Sequence, residues 1–257
     1  MKFNIKINSY LIILIILGST TFFSFGADMT KQVRKVSFGT ADNGKIFANI
    51  YGKGDHAVVF AHGAVFNKES WDSLARELSA KGYRVLALDF RGYGKSVAGR
   101  KERALYEDIL AAARYLRREE AKKVSVVGGS MGGGAAAQAS VEAKEGEIDK
   151  LILLSPIPIK NPEMMKASKL FVASKGERLL RKVKKQYERA PKPKKLVLLD
   201  GDTHAQHIFK TQQAEKLTNL IFKFLADSKQ KVFVNEERGY SSGTKHSCSE
   251  GRKAKGH

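Results

Sequence analysis

The chain has 257 residues, 42% of them apolar, with a formal net charge of +20 and one cysteine. A domain of about 200 residues buries roughly 70% of its extended surface, so there is room for one large core or two small ones. The lone Cys248 excludes an internal disulfide, and the scattered Lys and Arg match no nucleic-acid-reading motif, so a solvated basic surface and no specific nucleic-acid partner are expected.

Residues 1–27 read as a secretory leader. Lys2 and Lys6 precede the apolar run LIILIILG, Leu11 to Gly18, and Ser24, Gly26 and Ala27 are small enough for a signal peptidase, although Phe25 is bulky three positions before a cut after Ala27. Left uncut, Tyr10 to Ala27 gives about 18 largely apolar residues, near the minimum for a tilted membrane span. Export is the expectation, with the protein secreted or in the cell envelope after cleavage, and membrane-anchored without it.

Past the leader, VRKVSF (Val33 to Phe38) and KIFANIYG (Lys45 to Gly52), joined through Asp42-Asn43-Gly44, predict an antiparallel hairpin with a turn-forming Asn-Gly. Short runs rich in Val, Leu and Ile follow: AVVFAHG, YRVLALDF, KVSVVGG, KLILLSP, KLFVAS and KKLVLLDGD. Helical periodicity lies among them over Lys68 to Lys81, Tyr106 to Glu119, Met131 to Ala143, Glu177 to Arg189 and Gln212 to Ala226. Continuous apolar strands alternating with helices imply an α/β fold, a mostly parallel sheet covered on both faces. Trp71, Leu74, Leu78 and Tyr83 form a core-facing stripe. Residues 228–257 are polar, aperiodic and rich in Gly, Ser and Lys, so they read as a disordered basic tail that leaves residues 28–227 as the folded domain.

Gly128-Gly129-Ser130-Met131-Gly132 matches G-x-S-x-G, and it falls between the strand KVSVV and the helix starting near Met131. A serine at such a bend is held in a strained conformation, and side chains two residues to either side would collide with adjacent elements; glycine removes the collisions. The helix behind it directs free N–H groups toward the place where an oxyanion would form in acyl transfer. Two other glycine patterns fail on their context. RGYGKS lacks the first glycine of a phosphate loop, because position 89 is Asp89, and Gly132-x-Gly134-x-x-Ala137 begins inside the helix, where no turn remains to bind a pyrophosphate.

With AHGAVFNKESW, LDFRGYGKS, VASKGE and DGDTH added to GGSMGG, the chain from about Val33 to Asp227 resembles the α/β-hydrolase family, in its small, lidless serine hydrolase or esterase form. The resemblance implies that the residues after His-Gly and after the nucleophile, Ala64 and Met131, supply the oxyanion N–H groups. It also implies the chain order serine, acid, histidine. His204 then stands as the base, with His207 as its competitor, while His62 belongs structurally to the His-Gly loop. Glu177 occupies the place where such hydrolases usually carry aspartate. Its other reading is a capping carboxylate on the helix ERLLRKVKKQYERA, and Asp202 is the reserve acid, with Asp200 at a strand end. Asp89 and Arg91 look like the family's structural turn.

No Cys-His cluster and no H-E-x-x-H pair suggests a metal, and the chemistry requires no cofactor. The expected activity is cleavage of an ester or thioester through an acyl-Ser130 intermediate, with a small-molecule acyl substrate. Transfer to another acceptor by an acyltransferase or perhydrolase, or a silent ligand-binding protein on the same fold, are the alternatives. Met164, Met165 and Ile157 to Ile159 are the candidates for lining an open pocket.

Overall fold

The structure, a computed structural model, describes residues 33–227; the expected leader and the expected basic tail lie outside the described residues. Strands β1 (Arg34–Gly39) and β2 (Lys45–Tyr51) form the hairpin, turning through Asn43 at φ 71°. Asparagine tolerates that left-handed conformation better than most residues. The remaining strands are β3 (His56–Ala61), β4 (Arg84–Leu88), β5 (Lys123–Gly129), β6 (Lys150–Leu154), β7 (Ser168–Ser174) and β8 (Lys194–Leu199). All eight join one sheet in the order β1-β2-β4-β3-β5-β6-β7-β8, and β2 alone runs against its neighbours on both sides.

Among the described residues, five α-helices cover the sheet: α1 (Asp72–Ala80), α2 (Leu105–Arg118), α3 (Met131–Glu142), α4 (Leu180–Arg189) and α5 (Ala214–Ala226). Successive strand side chains point to opposite faces, so the strands feed two cores. Val59 and Val126 pack with Ile109 of α2, Ala136 of α3 and Val183 of α4 on one face. Val58 and Val127 pack with Leu78 of α1 and Ile221 of α5 on the other. Each fully buried Val, Leu or Ile contributes roughly 1.5–3 kcal/mol relative to exposure. Trp71, Leu74 and Leu78 are buried as their spacing predicts, and Tyr83 packs at the margin of that core.

Helix starts are where structure and sequence differ. The first helix opens with a 3₁₀ turn, Lys68–Trp71, capped by the Asn67 side chain, before α1 proper begins. Helix α5 begins at Ala214 rather than Gln212, and α4 begins at Leu180 rather than Glu177. The delay in α4 has a physical cause described below: the Glu177 carboxylate is held elsewhere.

Several basic side chains do structural work. Lys150 Nζ donates to the carbonyls of Phe224, Leu225 and Asp227 at the end of α5, Lys166 Nζ to Val141 and Ala143 at the end of α3, and Lys194 Nζ to Tyr187 and Glu188 at the end of α4. The last carbonyls of a helix lack intrahelical donors and carry the negative dipole end, so an ammonium group there satisfies both needs. Arg91 is buried between Asp42 of the hairpin turn and Asp108 of α2, at 2.9 and 2.6 Å. These contacts hold its guanidinium charged and push the Asp42 carboxyl well below the usual carboxylate range. Asp89 accepts from Lys68 N–H and Nζ. Both residues therefore act in the turn after β4, as the resemblance implies. Among the described residues, no helix is long and apolar enough to cross a membrane.

Candidate active site

Strand order reverses around β3: the chain passes from β3 to β4 on one side, then crosses to β5 on the other. In open parallel sheets such a switch point leaves a crevice beyond the carboxyl ends of the strands. Ser130 stands there, directly after β5, at φ 52° and ψ −109°. A Cβ on Gly128 would lie 2.4 Å from Gly132 O, and one on Gly132 would lie 2.2 Å from Ala61 O. Both flanking glycines are thus required by close backbone approach, and the Ser130 N–H is anchored on Leu154 O at 2.9 Å.

His204 arrives from the loop after β8. Its Nε2 lies 2.8 Å from Ser130 Oγ, and its Nδ1 lies 2.6 Å from Glu177 Oε2. The carboxylate can only accept, so it takes the Nδ1–H and leaves Nε2 to accept from the serine hydroxyl. Glu177 is buried, and its Oε1 accepts from Ser155 Oγ at 2.7 Å. Ser155 Oγ in turn accepts the Ala205 N–H at 3.2 Å. The carboxylate therefore faces inward to His204 and Ser155 rather than capping α4, whose first residues receive no side-chain cap.

Three non-glycine residues of this constellation adopt positive φ: Ser130, Ser155 at 44° and Ala205 at 49°. Each such conformation costs of order 1–3 kcal/mol and persists only where surrounding contacts hold it. The strained residues sit where the three proposed functional side chains meet.

The amides of Ala64 and Met131 have no acceptor among the described residues. Met131 opens α3, where N–H groups lack intrahelical partners. Ala64 lies in a turn closed by Phe66 N–H on Gly63 O at 3.0 Å. Tyr93 ties the two together, its hydroxyl lying 3.0 Å from Ala64 O and 3.8 Å from Met131 Sδ. Both ring nitrogens of His62 are engaged within the His-Gly loop and the turn after β4: Phe90 N–H donates to its Nε2, its Nδ1 donates to Gly63 O, and burial lowers its pKa.

Other candidates lie apart. Asp202 is exposed, Asp200 pairs with Lys175 at 2.6 Å, and the His207 ring lies tilted against Phe66 with centroids 4.8 Å apart. Of the pocket candidates, Met164 and Ile157 are exposed, whereas Met165 is buried in the core against α3 and cannot line an open pocket. Sequence reasoning passed over Ser155, Tyr93 and Gln206. A Ser-Pro pair directly after a buried strand is the signal that marks Ser155. Among the described residues, no group of three His, Cys, Asp or Glu could hold a metal ion.

A family model described as serine aminopeptidase, S33 matches residues 52–229. A non-heme chloroperoxidase of Streptomyces lividans is 32% identical over 132 residues, 50% of this chain and 46% of that protein. A bifunctional esterase/perhydrolase of Acinetobacter calcoaceticus is 31% identical over 123 residues, 46% of this chain and 44% of that protein. In both cases this chain spans less than half the relative's length. Among solved structures, an esterase of Pyrococcus furiosus superposes with a TM-score of 0.66 at 22% identity, covering 77% of this chain and 92% of that one. An esterase of Exiguobacterium antarcticum gives 0.62 at 17%, covering 75% and 99%. The shared architecture is the α/β-hydrolase fold.

Proposed function

The chain belongs to the serine aminopeptidase S33 family of α/β-hydrolases and is a hydrolase enzyme, and from that premise we propose that it cleaves carboxylic esters or thioesters through an acyl-Ser130 intermediate. The observation that carries this reading is the unbroken chain of contacts from Glu177 through His204 to Ser130, at 2.6 and 2.8 Å. In the proposed mechanism, His204 Nε2 takes the hydroxyl proton as Ser130 Oγ bonds to the carbonyl carbon. Glu177 holds the ring in the tautomer that allows this and stabilises the imidazolium that forms. The N–H groups of Ala64 and Met131 receive the charge developing on the carbonyl oxygen, each donor being worth about 2.7–4 kcal/mol in comparable sites. His204 then returns its proton to the leaving alcohol or thiol; water, deprotonated by the same nitrogen, next bonds to the acyl carbon, the bond from that carbon to Ser130 Oγ breaks, and the proton goes back to Oγ as the acid leaves.

The short connection Ser155–Ala167 carries only a 3₁₀ turn, Pro162–Met164, and the site has no helical cap there. Acyl groups of different lengths fit such a mouth. A fluorophosphonate probe tests the reading: labelling of the wild type and not of Ser130→Ala is expected. No labelling of a folded wild type would instead support a silent ligand-binding protein. Short and long nitrophenyl esters then rank the acyl length.

A second reading takes hydrogen peroxide as the acyl acceptor, releasing a peracid. What favours it is that relatives of this chain are described as non-heme haloperoxidases and as a bifunctional esterase/perhydrolase. Peracid-dependent halide oxidation, present with an ester and peroxide together and absent with either alone, separates it from simple hydrolysis. The leader supports export as a further proposal, tested by N-terminal sequencing of the exported protein, expected to begin near Ala27 or Asp28.

A further inference from the structure

The residue before the serine in the G-x-S-x-G bend is Gly129, and neither the bend nor the helix behind it explains why. Gly129 is outside the left-handed region. The three heavy atoms nearest to a Cβ there would all belong to Gln206, with Cγ at 3.0 Å, Oε1 at 3.2 Å and Cδ at 3.5 Å. The glutamine side chain occupies the space that a side chain at position 129 would otherwise take.

Gln206 is buried two residues beyond His204, and both ends of its carboxamide are engaged. Oε1 accepts the Gly63 N–H at 2.6 Å. Nε2 donates to Ser70 Oγ at 3.0 Å, and Ser70 Oγ donates to Asn67 O at 2.5 Å. The Gly63 carbonyl is fixed independently by His62 Nδ1 at 2.9 Å and Phe66 N–H at 3.0 Å. A trans peptide is planar, so C=O of Gly63 and N–H of Ala64 point in opposite directions. Holding Gly63 at its nitrogen and its oxygen therefore aims the Ala64 N–H.

We propose that Gln206 is a positioning residue that ties the oxyanion loop to the segment carrying the base, so that Ala64 N–H and His204 share one frame. This rests on the reading of Ser130 as an acyl-transfer nucleophile. A donor displaced from the developing oxyanion weakens the transition state while leaving the ground-state complex nearly intact. Misplacement of about 1 Å costs up to about 100-fold in rate.

The test compares Gln206→Leu, Gln206→Met and Gln206→Glu with wild type on p-nitrophenyl acetate. Leu and Met remove the acceptor. They are expected to lower kcat about 10- to 100-fold with KM within about twofold, and to speed hydrogen exchange at the Gly63 amide. A protonated Glu reproduces both the acceptor and the donor, so the kcat of Gln206→Glu relative to wild type is expected to recover as pH falls. Wild-type kcat in Leu or Met, or a rise in KM alone, overturns the proposal. If Leu fails to fold, Met and Glu decide it by the same criteria. An inactive, unlabelled wild type overturns the acyl-transfer reading itself and is recognised without any Gln206 variant.

Discussion

Strand β5 carries a serine–histidine contact at each end, and the two are the same length. Ser130 Oγ lies 2.8 Å from His204 Nε2 at the carboxyl end, and Ser125 Oγ lies 2.8 Å from His56 Nε2 toward the amino end. What surrounds them differs. His204 has the Glu177 carboxylate behind it, while burial, then Lys150 and Lys123, push His56 down to about 4. Ser125 is fully buried within the strand, whereas Ser130 stands on a strained bend between β5 and α3. A short contact alone does not make a nucleophile; orientation of the base, access and donors for the developing charge do.

Substitutions at both ends put this contrast at risk. Ser130→Ala is expected to lower kcat about 10⁴- to 10⁶-fold. Ser125→Ala should leave kcat unchanged and cost about 1–3 kcal/mol of stability, read by denaturant unfolding, since His56 loses a buried partner. Equal losses of activity from both would erase the distinction. Next in size is the acid: Glu177→Gln should reduce kcat about 10⁴-fold by stabilising the wrong tautomer, while Asp202→Asn stays near wild type. The reverse pattern transfers the role to Asp202.

A smaller effect is expected from Ser155→Ala, which removes one donor to the Glu177 carboxylate. Hydrogen bonds to charged groups are worth about 1.5–3 kcal/mol, so kcat should fall about tenfold or more. An unchanged rate would make Ser155 a packing residue. Smallest is a pH effect at the amino end. His56 is protonated near pH 4 in the folded state and near its ordinary 6.5 in the unfolded chain. The unfolded state therefore binds more protons between these values. The contribution of His56 to stability is full above pH 6.5 and declines as pH falls toward 4. The ring is partly exposed, so after solvent screening it amounts to about 1 kcal/mol. His56→Gln should flatten this slope in thermal melts across that range, and an unchanged slope would place its cause elsewhere.

The hairpin, the parallel strands and the serine bend were legible because each depends on neighbours in sequence. Asn43-Gly44 forces the turn, apolar runs bury both strand faces, and Gly128 and Gly132 relieve collisions within a few residues of Ser130. Placing His204 and Glu177 needed the strand order as well, and the family likeness supplied it. The rest depends on contacts between distant segments. Ser155 reaches Glu177 across 22 positions, and Gln206 reaches Gly63 across 143; a Ser-Pro pair after a strand flags the first without naming its partner, and no local pattern marks the second. The start of α4 was misplaced for the same reason. An acidic residue ahead of a helix is ordinarily a cap, and in the folded molecule the Glu177 carboxylate turns to the imidazole, so the helix starts three residues later.

The ammonium groups of Lys150, Lys166 and Lys194 terminate helices, which alters the meaning of the formal charge of +20. Each of these cations is already matched to peptide oxygens, so a visiting anion meets a weaker attraction than the formula suggests. Acetylating one of them would fray a helix end instead of thinning a cloud of surface charge. Part of this chain's basicity is scaffolding.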